Sequence, residues 1–261
     1  MRTLKLGCAT FSYLYACSLE EALRRLASFG FDEIQLSICP PHVWPRELGP
    51  ADRTELRRLF DRFGLRARCL NQRFADVNLA SINPGIRDET IRQIQEDIDL
   101  AADLGGEFVV VNPGKPTPLF SPPPEEIWRL SREAIERCVE HGVRRGITCV
   151  LENTGYSLCP RAADLARMVR EVDSPNCRIH YDVANANLYE PPTEALRTLG
   201  PLLASVDLSD NDGETWTHSP VGQGTIDWPG VADALRAVAF NGPSWLEINV
   251  YGARTRRCRV P

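Results

Sequence analysis

The sequence predicts one (β/α)8 barrel over residues 1–261, and three features carry that prediction. Short apolar runs rich in β-formers alternate with helix-like stretches eight times over, the pattern of parallel strands joined by helical crossovers. Glycines, Gly30, Gly64 and the pair Gly105-Gly106, close the first three helices just before the next strand. Four consecutive runs in the C-terminal half end on an acid, as barrel strands do where they open into an active site. The length of 261 residues fits as well, since about 250 is typical of such barrels.

In order, the first strand is read over residues 4–9. Ser18 then caps a helix whose apolar positions Leu19, Leu23, Leu26 and Phe29 follow helical spacing, with Glu20 and Glu21 in the first turn and Gly30 as the stop. Strand two covers 31–36, and a helix over 51–63, ended by Gly64, follows a proline-rich loop. Strand three covers 65–70, with a long loop over 71–85 after it. The next helix has the clearest stripe, Ile91, Ile94, Ile98, Ala101 and Leu104, stopped by Gly105 and Gly106. Strand four, 108–111, exits through Asn112, Pro113, Gly114 and Lys115, ahead of a helix carrying Ile127, Leu130, Ala134 and Cys138.

Strand five, 147–153, ends in Glu152 and Asn153. A helix over 162–172 leads to strand six and Asp182, a short helix after Pro192 leads to strand seven and Asp207, and a helix over 231–238 leads to strand eight and Glu247. The residues after Glu247, with Arg254, Arg256, Arg257 and Arg259 among them, are too few for a full final helix. The expectation is a truncated eighth helix and a solvated basic tail over about 252–261. A last groove left open in this way would be covered by the N-terminal region, the tail or a partner subunit, hence a homodimer.

Composition narrows the function. At 43% hydrophobic and 25% charged the chain is globular, and a net charge of −5 leaves no global basic field to hold nucleic acid or an anionic membrane. Small solutes are the expected partners. Nine cysteines, spread singly with no Cys-x-x-Cys pair and no secretory signal at the start, read as free core thiols of a reducing cytoplasm.

Neighbouring strands lie about 4.8 Å apart, so Glu152, Asp182, Asp207 and Glu247 can project into one small mouth. Like charges so close cannot all stay ionised alone. Either a divalent cation sits among them or some carboxyls are protonated; with oxygen ligands the cation is Mn²⁺ or Mg²⁺ before Zn²⁺. The polar groups expected to ring a substrate at the strand exits are Asn71, Arg73, Asn112, Lys115, Asn185 and His218, with Tyr13 and Trp216 as apolar walls. The acidic loop 209–214 speaks against a phosphate site, which favours an unphosphorylated sugar, polyol or hydroxy-keto compound. His180, two residues before Asp182, faces the same way one layer deeper and reads as a core histidine.

These residues resemble a family. Leu151-Glu152-Asn153, Asp182-Val-Ala-Asn185, Val206-Asp207-Leu208-Ser209-Asp210, the run from Pro220 to Asp227 and Trp245-Leu-Glu247 look like the sugar phosphate isomerase/epimerase family, the xylose-isomerase-like TIM barrels. The resemblance implies a metal held by Glu, Asp, His and Glu from the last four strands. Glu152, Asp182 and Glu247 match, whereas Asp207 stands where the family has His. An aspartate there keeps a hard-cation site or marks a member that has lost its metal and serves as a binding or biosynthetic partner protein. The resemblance further implies Glu152 and Glu247 as the acid/base pair, acting next to a carbonyl through a metal-stabilised enediolate. Isomerisation, epimerisation and dehydration all follow from that intermediate. The nuclease relatives need extra histidines where this chain has Asn112 and Asn185.

Overall fold

The computed structural model describes residues 4–72, 76–117, 119 and 121–249. Their eight parallel strands, β1 (Lys5–Ala9), β2 (Glu33–Ile38), β3 (Arg66–Gln72), β4 (Phe108–Val111), β5 (Thr148–Glu152), β6 (Cys177–Asp182), β7 (Leu203–Leu208) and β8 (Pro243–Leu246), close into a barrel in sequence order. Around it run α1 (Leu19–Ser28), α2 (Pro50–Arg62), α3 (Pro84–Leu104), α4 (Pro124–Arg145), α5 (Ala162–Val172), α6 (Val183–Asn187), α7 (Pro192–Leu199) and α8 (Trp228–Ala237). The barrel expected from the sequence is therefore present. Arg73, the truncated eighth helix and the basic tail fall outside the described residues.

Local chemistry sets the ends of the elements. The Ser18 hydroxyl accepts from the Glu21 backbone N–H at the start of α1, and Asn83 does the same for Gly85 at the start of α3. Gly105 and Gly146, at φ 75° and 70°, close α3 and α4 in the left-handed conformation that glycine adopts without strain. Strands β2 and β3 end two residues later than their apolar runs suggest, because Ser37, Asn71 and Gln72 continue the strands into the mouth. α6 has no apolar signature of its own. It is one turn, started by the Asp182 side chain, which accepts from the Ala184 and Asn185 N–H groups.

Side chains of a strand alternate between the barrel interior and the helical layer. Leu151, Ile179, Tyr181 and Val206 belong to the large core under the helices, while Val150 and Trp245 join Cys69, Val110 and Ala204 in a second cluster. Gly7 makes room for Trp245, since a Cβ there would stand 2.5 Å from the indole and 2.6 Å from the Glu33 carbonyl. Counting two residues on from Val150, His180, Ser205 and Trp245 gives Glu152, Asp182, Asp207 and Glu247. The four acids thus share one face of their strands.

The described cysteines are free thiols, and burial pushes the thiols of Cys138 and Cys177 up to about 12. Cys39, Cys69, Cys138, Cys149, Cys159 and Cys177 are buried, as the sequence suggested, whereas Cys8 and Cys17 are half-buried. No described helix is long and apolar enough to cross a membrane.

One buried acid lies far from the mouth. Asp97 of α3 is 1% exposed, and neither of its oxygens has a hydrogen-bond partner among the described residues. Burial, helped by Glu96 and opposed by Arg46, raises its pKa well above the carboxylate range. A raised carboxyl pKa stabilises the fold below the unfolded-state value and forfeits that contribution as pH rises through the folded-state value. Asp97→Asn should therefore unfold at higher urea than the parent at pH 8, by about 1.4 kcal/mol per pKa unit relieved, with the difference closing towards pH 4.

Candidate active site

The staggered register arranges the acids as a short staircase. Glu152 pairs with His180, His180 with Ser205, Asp182 with Asp207, and Asp207 with Trp245. Glu247 follows β8 by one residue. Ligand-type oxygens of Glu152, Asp182, Asp207 and Glu247 lie within 4.8 Å of one another, and all four residues are buried. Two imidazoles attend them: His180 stands in one trio with Glu152 and Asp207, and His218 in another with Asp182 and Glu247.

Each acid is held by its own surroundings. Asp182 Oδ1 accepts from the Ala184 and Asn185 N–H groups at 2.8 and 2.9 Å, and its Oδ2 accepts from Asn185 Nδ2 at 2.8 Å. Even so, burial and then the Glu247, Asp207 and Glu152 charges raise the Asp182 pKa well above the ordinary range. Asp207 Oδ1 accepts from Gln35 Nε2 at 2.9 Å, and its Oδ2 lies 2.9 Å from His180 Nε2. Burial opposes a charge on His180, but Asp207, with Glu152 and Glu247 behind it, outweighs that and raises its pKa. His218 Nδ1 meets Ser209 Oγ at 2.9 Å, with Glu247 Oε2 at 3.5 Å and Asp182 Oδ2 at 3.7 Å.

A hard divalent cation fits this donor set. Four carboxylates with imidazoles at the margin supply the oxygen-rich ligands that Mn²⁺ or Mg²⁺ prefers, and a +2 charge relieves the repulsion that raises Asp182.

Two of the acids, Glu152 and Glu247, line a cavity of about 320 Å³. Asn71, Asn112, Asn185, His218 and Asn249 give it a polar lining, while Phe11, Val77, Ile94, Tyr156 and Trp216 give it apolar walls. The Tyr156 and Trp216 rings meet edge to face at 4.9 Å, and the Trp216 indole N–H donates to Asn185 Oδ1 at 2.6 Å. Asn185 thereby joins the aromatic wall to Asp182. Lys115 stands outside this lining with its ammonium 5.5 Å from the Tyr156 ring centroid.

Two loops are pinned by single side chains. Asp210 accepts from the backbone N–H of Asn211, Gly222 and Ile226 and from Trp228 Nε1, so it fastens the segment that carries Trp216 and His218. A Cβ at Gly224 would stand 2.1 Å from the Asn211 carbonyl, which leaves glycine as the residue that fits beneath. On the other side, Asn78 Oδ1 accepts from the Ala80 and Lys115 N–H groups at 3.0 and 2.9 Å, and its Nδ2 donates to the Lys115 carbonyl at 3.0 Å.

Of the residues singled out in the sequence, Glu152, Asp182, Asp207 and Glu247 come together, and Asn71, Asn112, Asn185 and His218 line the cavity beside them. Tyr13 packs on the core, and Phe11 and Tyr156 take the wall position instead. Gln35 was missed, because a glutamine inside a strand-like run carries no signal of what it meets across a barrel.

Residues 23–257 match the xylose isomerase-like TIM barrel family, and the chain belongs to it. An uncharacterized protein of Methanocaldococcus jannaschii is 28% identical over 247 residues, 92% of this chain and 82% of its own length. Endonuclease 4 of Thermus thermophilus is 27% identical over 184 residues, 68% of this chain and 64% of that one. Among solved structures, a D-tagatose 3-epimerase-like protein superposes with a TM-score of 0.85 at 27% identity, covering 96% of this chain and 93% of that chain. D-Psicose 3-epimerase of Clostridium cellulolyticum, solved with D-tagatose, superposes at 0.80 with 18% identity over 95% of this chain and 86% of that one, a likeness of fold.

The role given to Asp210 is open to measurement. Asp210→Ala strands several buried donors and should cost about 2–4 kcal/mol in urea unfolding, whereas a loss under about 0.5 kcal/mol would mean that the loop is held elsewhere.

Proposed function

We propose that this protein is a divalent-metal-dependent isomerase or epimerase of a sugar or polyol, working by removal of a proton from the carbon next to a carbonyl. The observation that carries the reading is the convergence of four buried carboxylates within 4.8 Å, two of which, Glu152 and Glu247, line a cavity of mixed polar and apolar walls. The likeness at 27% identity to a D-tagatose 3-epimerase-like protein supports it.

Glu152, Asp182, Asp207 and Glu247 would hold the ion. When bound, it supplies positive charge that draws electron density from a carbonyl and its neighbouring hydroxyl and so acidifies the C–H bond between them. Glu152 and Glu247 leave different strands and both face the cavity. One carboxylate takes the proton, leaving an enediolate, and the other, entering the cycle protonated, returns a proton. Return to the opposite face of the same carbon inverts it, which is epimerisation; return to the neighbouring carbon is isomerisation. Expulsion of a β-hydroxyl from the enediolate would instead make the enzyme a dehydratase, and product analysis separates the outcomes.

No lysine or arginine side chain is among the described residues lining the cavity, while five amide side chains are: Asn71, Gln72, Asn112, Asn185 and Asn249. That lining favours an uncharged polyhydroxy substrate over a phosphate ester. Amides bind hydroxyls as both donors and acceptors. The apolar walls suit the C–H faces of a sugar.

Two experiments test the reading. Incubated with ketoses in D₂O, the Mn²⁺-loaded protein should exchange a carbon-bound hydrogen for deuterium, and chelation should abolish the exchange until Mn²⁺ is restored. Exchange that persists at full rate after chelation would remove the cation from the mechanism. Glu152→Gln should reduce exchange by about 10²–10⁴-fold with an unchanged circular dichroism spectrum. Undiminished exchange in that variant would take Glu152 out of the catalytic role.

A further inference from the structure

The carboxylate of Asp207 is gripped by side chains from two other strands. Gln35 of β2 reaches across the barrel to donate to Oδ1 at 2.9 Å, and His180 of β6 approaches Oδ2 with Nε2 at 2.9 Å. The imidazole is oriented in turn, because His180 Nδ1 lies 2.7 Å from Ser205 Oγ. Gln35, His180, Ser205 and Asp207 are each 0% exposed, so solvent competes for none of these contacts. The ring thus turns Nε2 to the Asp207 carboxylate and Nδ1 to the Ser205 hydroxyl.

We infer that His180 and Gln35 are positioning residues that make an aspartate serviceable as the β7 ligand of the metal site. The inference rests on the proposed metal-dependent function and deepens it. A hydrogen bond from Gln35 to Oδ1 and the close imidazole at Oδ2, arriving from different strands, hold the carboxylate from both sides, so that it meets a cation in a set orientation. They also spread the charge of the fourth acid over two polar neighbours, where a bare group would add its full repulsion to Glu152, Asp182 and Glu247. Groups that hold a ligand in this way typically govern metal affinity by about 10–100-fold. The register explains why His180 is suited to this role. It lies beside Ser205 and two positions below Asp182, so its ring stands beneath the staircase of acids.

His180 also belongs to a trio with Glu152 and Asp207 whose ligand-type atoms lie within 4.8 Å. A ligand and a positioning residue behave differently on substitution. Glutamine keeps an N–H donor near the place of Nε2 and offers a poor metal ligand, while leucine keeps the volume and removes the donor.

The test is a Mn²⁺ titration followed by electron paramagnetic resonance on the full chain, for the parent and for Gln35→Met, His180→Gln and His180→Leu, with folding checked by thermal unfolding. The expected result is a loss of affinity of about 10–100-fold in Gln35→Met and His180→Leu, a changed Mn²⁺ spectrum in both, and affinity within about threefold of the parent in His180→Gln. Parent-like affinity in Gln35→Met and His180→Leu overturns the inference while leaving the proposed function standing. An equal loss in His180→Gln and His180→Leu also overturns it, since His180 would then act as a ligand. Should His180→Leu fail to fold, the near-isosteric Gln35→Met decides by the same criterion. A parent protein that binds no Mn²⁺ defeats the proposed function and this inference with it.

Discussion

Repulsion among four carboxylates is the constraint on which the rest of this barrel depends. At a separation of 4.8 Å and an effective dielectric constant of about 20, each ionised pair costs about 3–4 kcal/mol. Six such pairs amount to roughly 20 kcal/mol, more than the roughly 5–15 kcal/mol by which a protein of this kind is stable. A sequence that brings these acids together must compensate them. Asp182 is compensated by the first turn of α6 and by Asn185, Asp207 by Gln35 and His180, and Glu247 by the nearby His218 ring. These groups reduce the repulsion without abolishing it, as the raised pKa of Asp182 records. The remaining imbalance leaves the mouth with an excess of negative charge.

Much of this arrangement was legible in the sequence because it rests on periodicity. Two-residue alternation along β5, β6, β7 and β8 carries Glu152, Asp182, Asp207 and Glu247 to the same face, and the run of apolar residues before each acid marks where a strand ends. The α3 stripe and its stop at Gly105 were equally visible, being local propensities. α6 was not, since its start depends on which partner the Asp182 side chain chooses. Phe11 and Tyr156 were passed over because loop aromatics look alike until the fold shows which of them face the cavity.

The pairing of Asp207 with His180 and Gln35 lay beyond sequence reasoning for a different reason. Residues 35 and 207 are 172 positions apart and meet only because the barrel closes. In the sequence Asp207 looked like a departure from the family pattern, and His180 like a core histidine. In space they are one unit, and the departure comes with its own support. Asp210 shows the complementary case: in the sequence it only completed a family-like run, while its hydrogen bonds from Gly222, Ile226 and Trp228 make it the fastening of a loop.

Asn78 ties the segment after β3 to the exit of β4 with two hydrogen bonds to the Lys115 backbone, and Gly114, at φ 91°, lets the two backbones touch where a Cβ would stand 2.5 Å from the Ala80 nitrogen. Two walls of the cavity are therefore assembled before any ligand arrives. The entropy of ordering them is lost during folding, so binding does not have to supply it. A pocket built in this manner recognises by shape: it rewards a molecule whose hydroxyls already match its amides and yields little to one that does not.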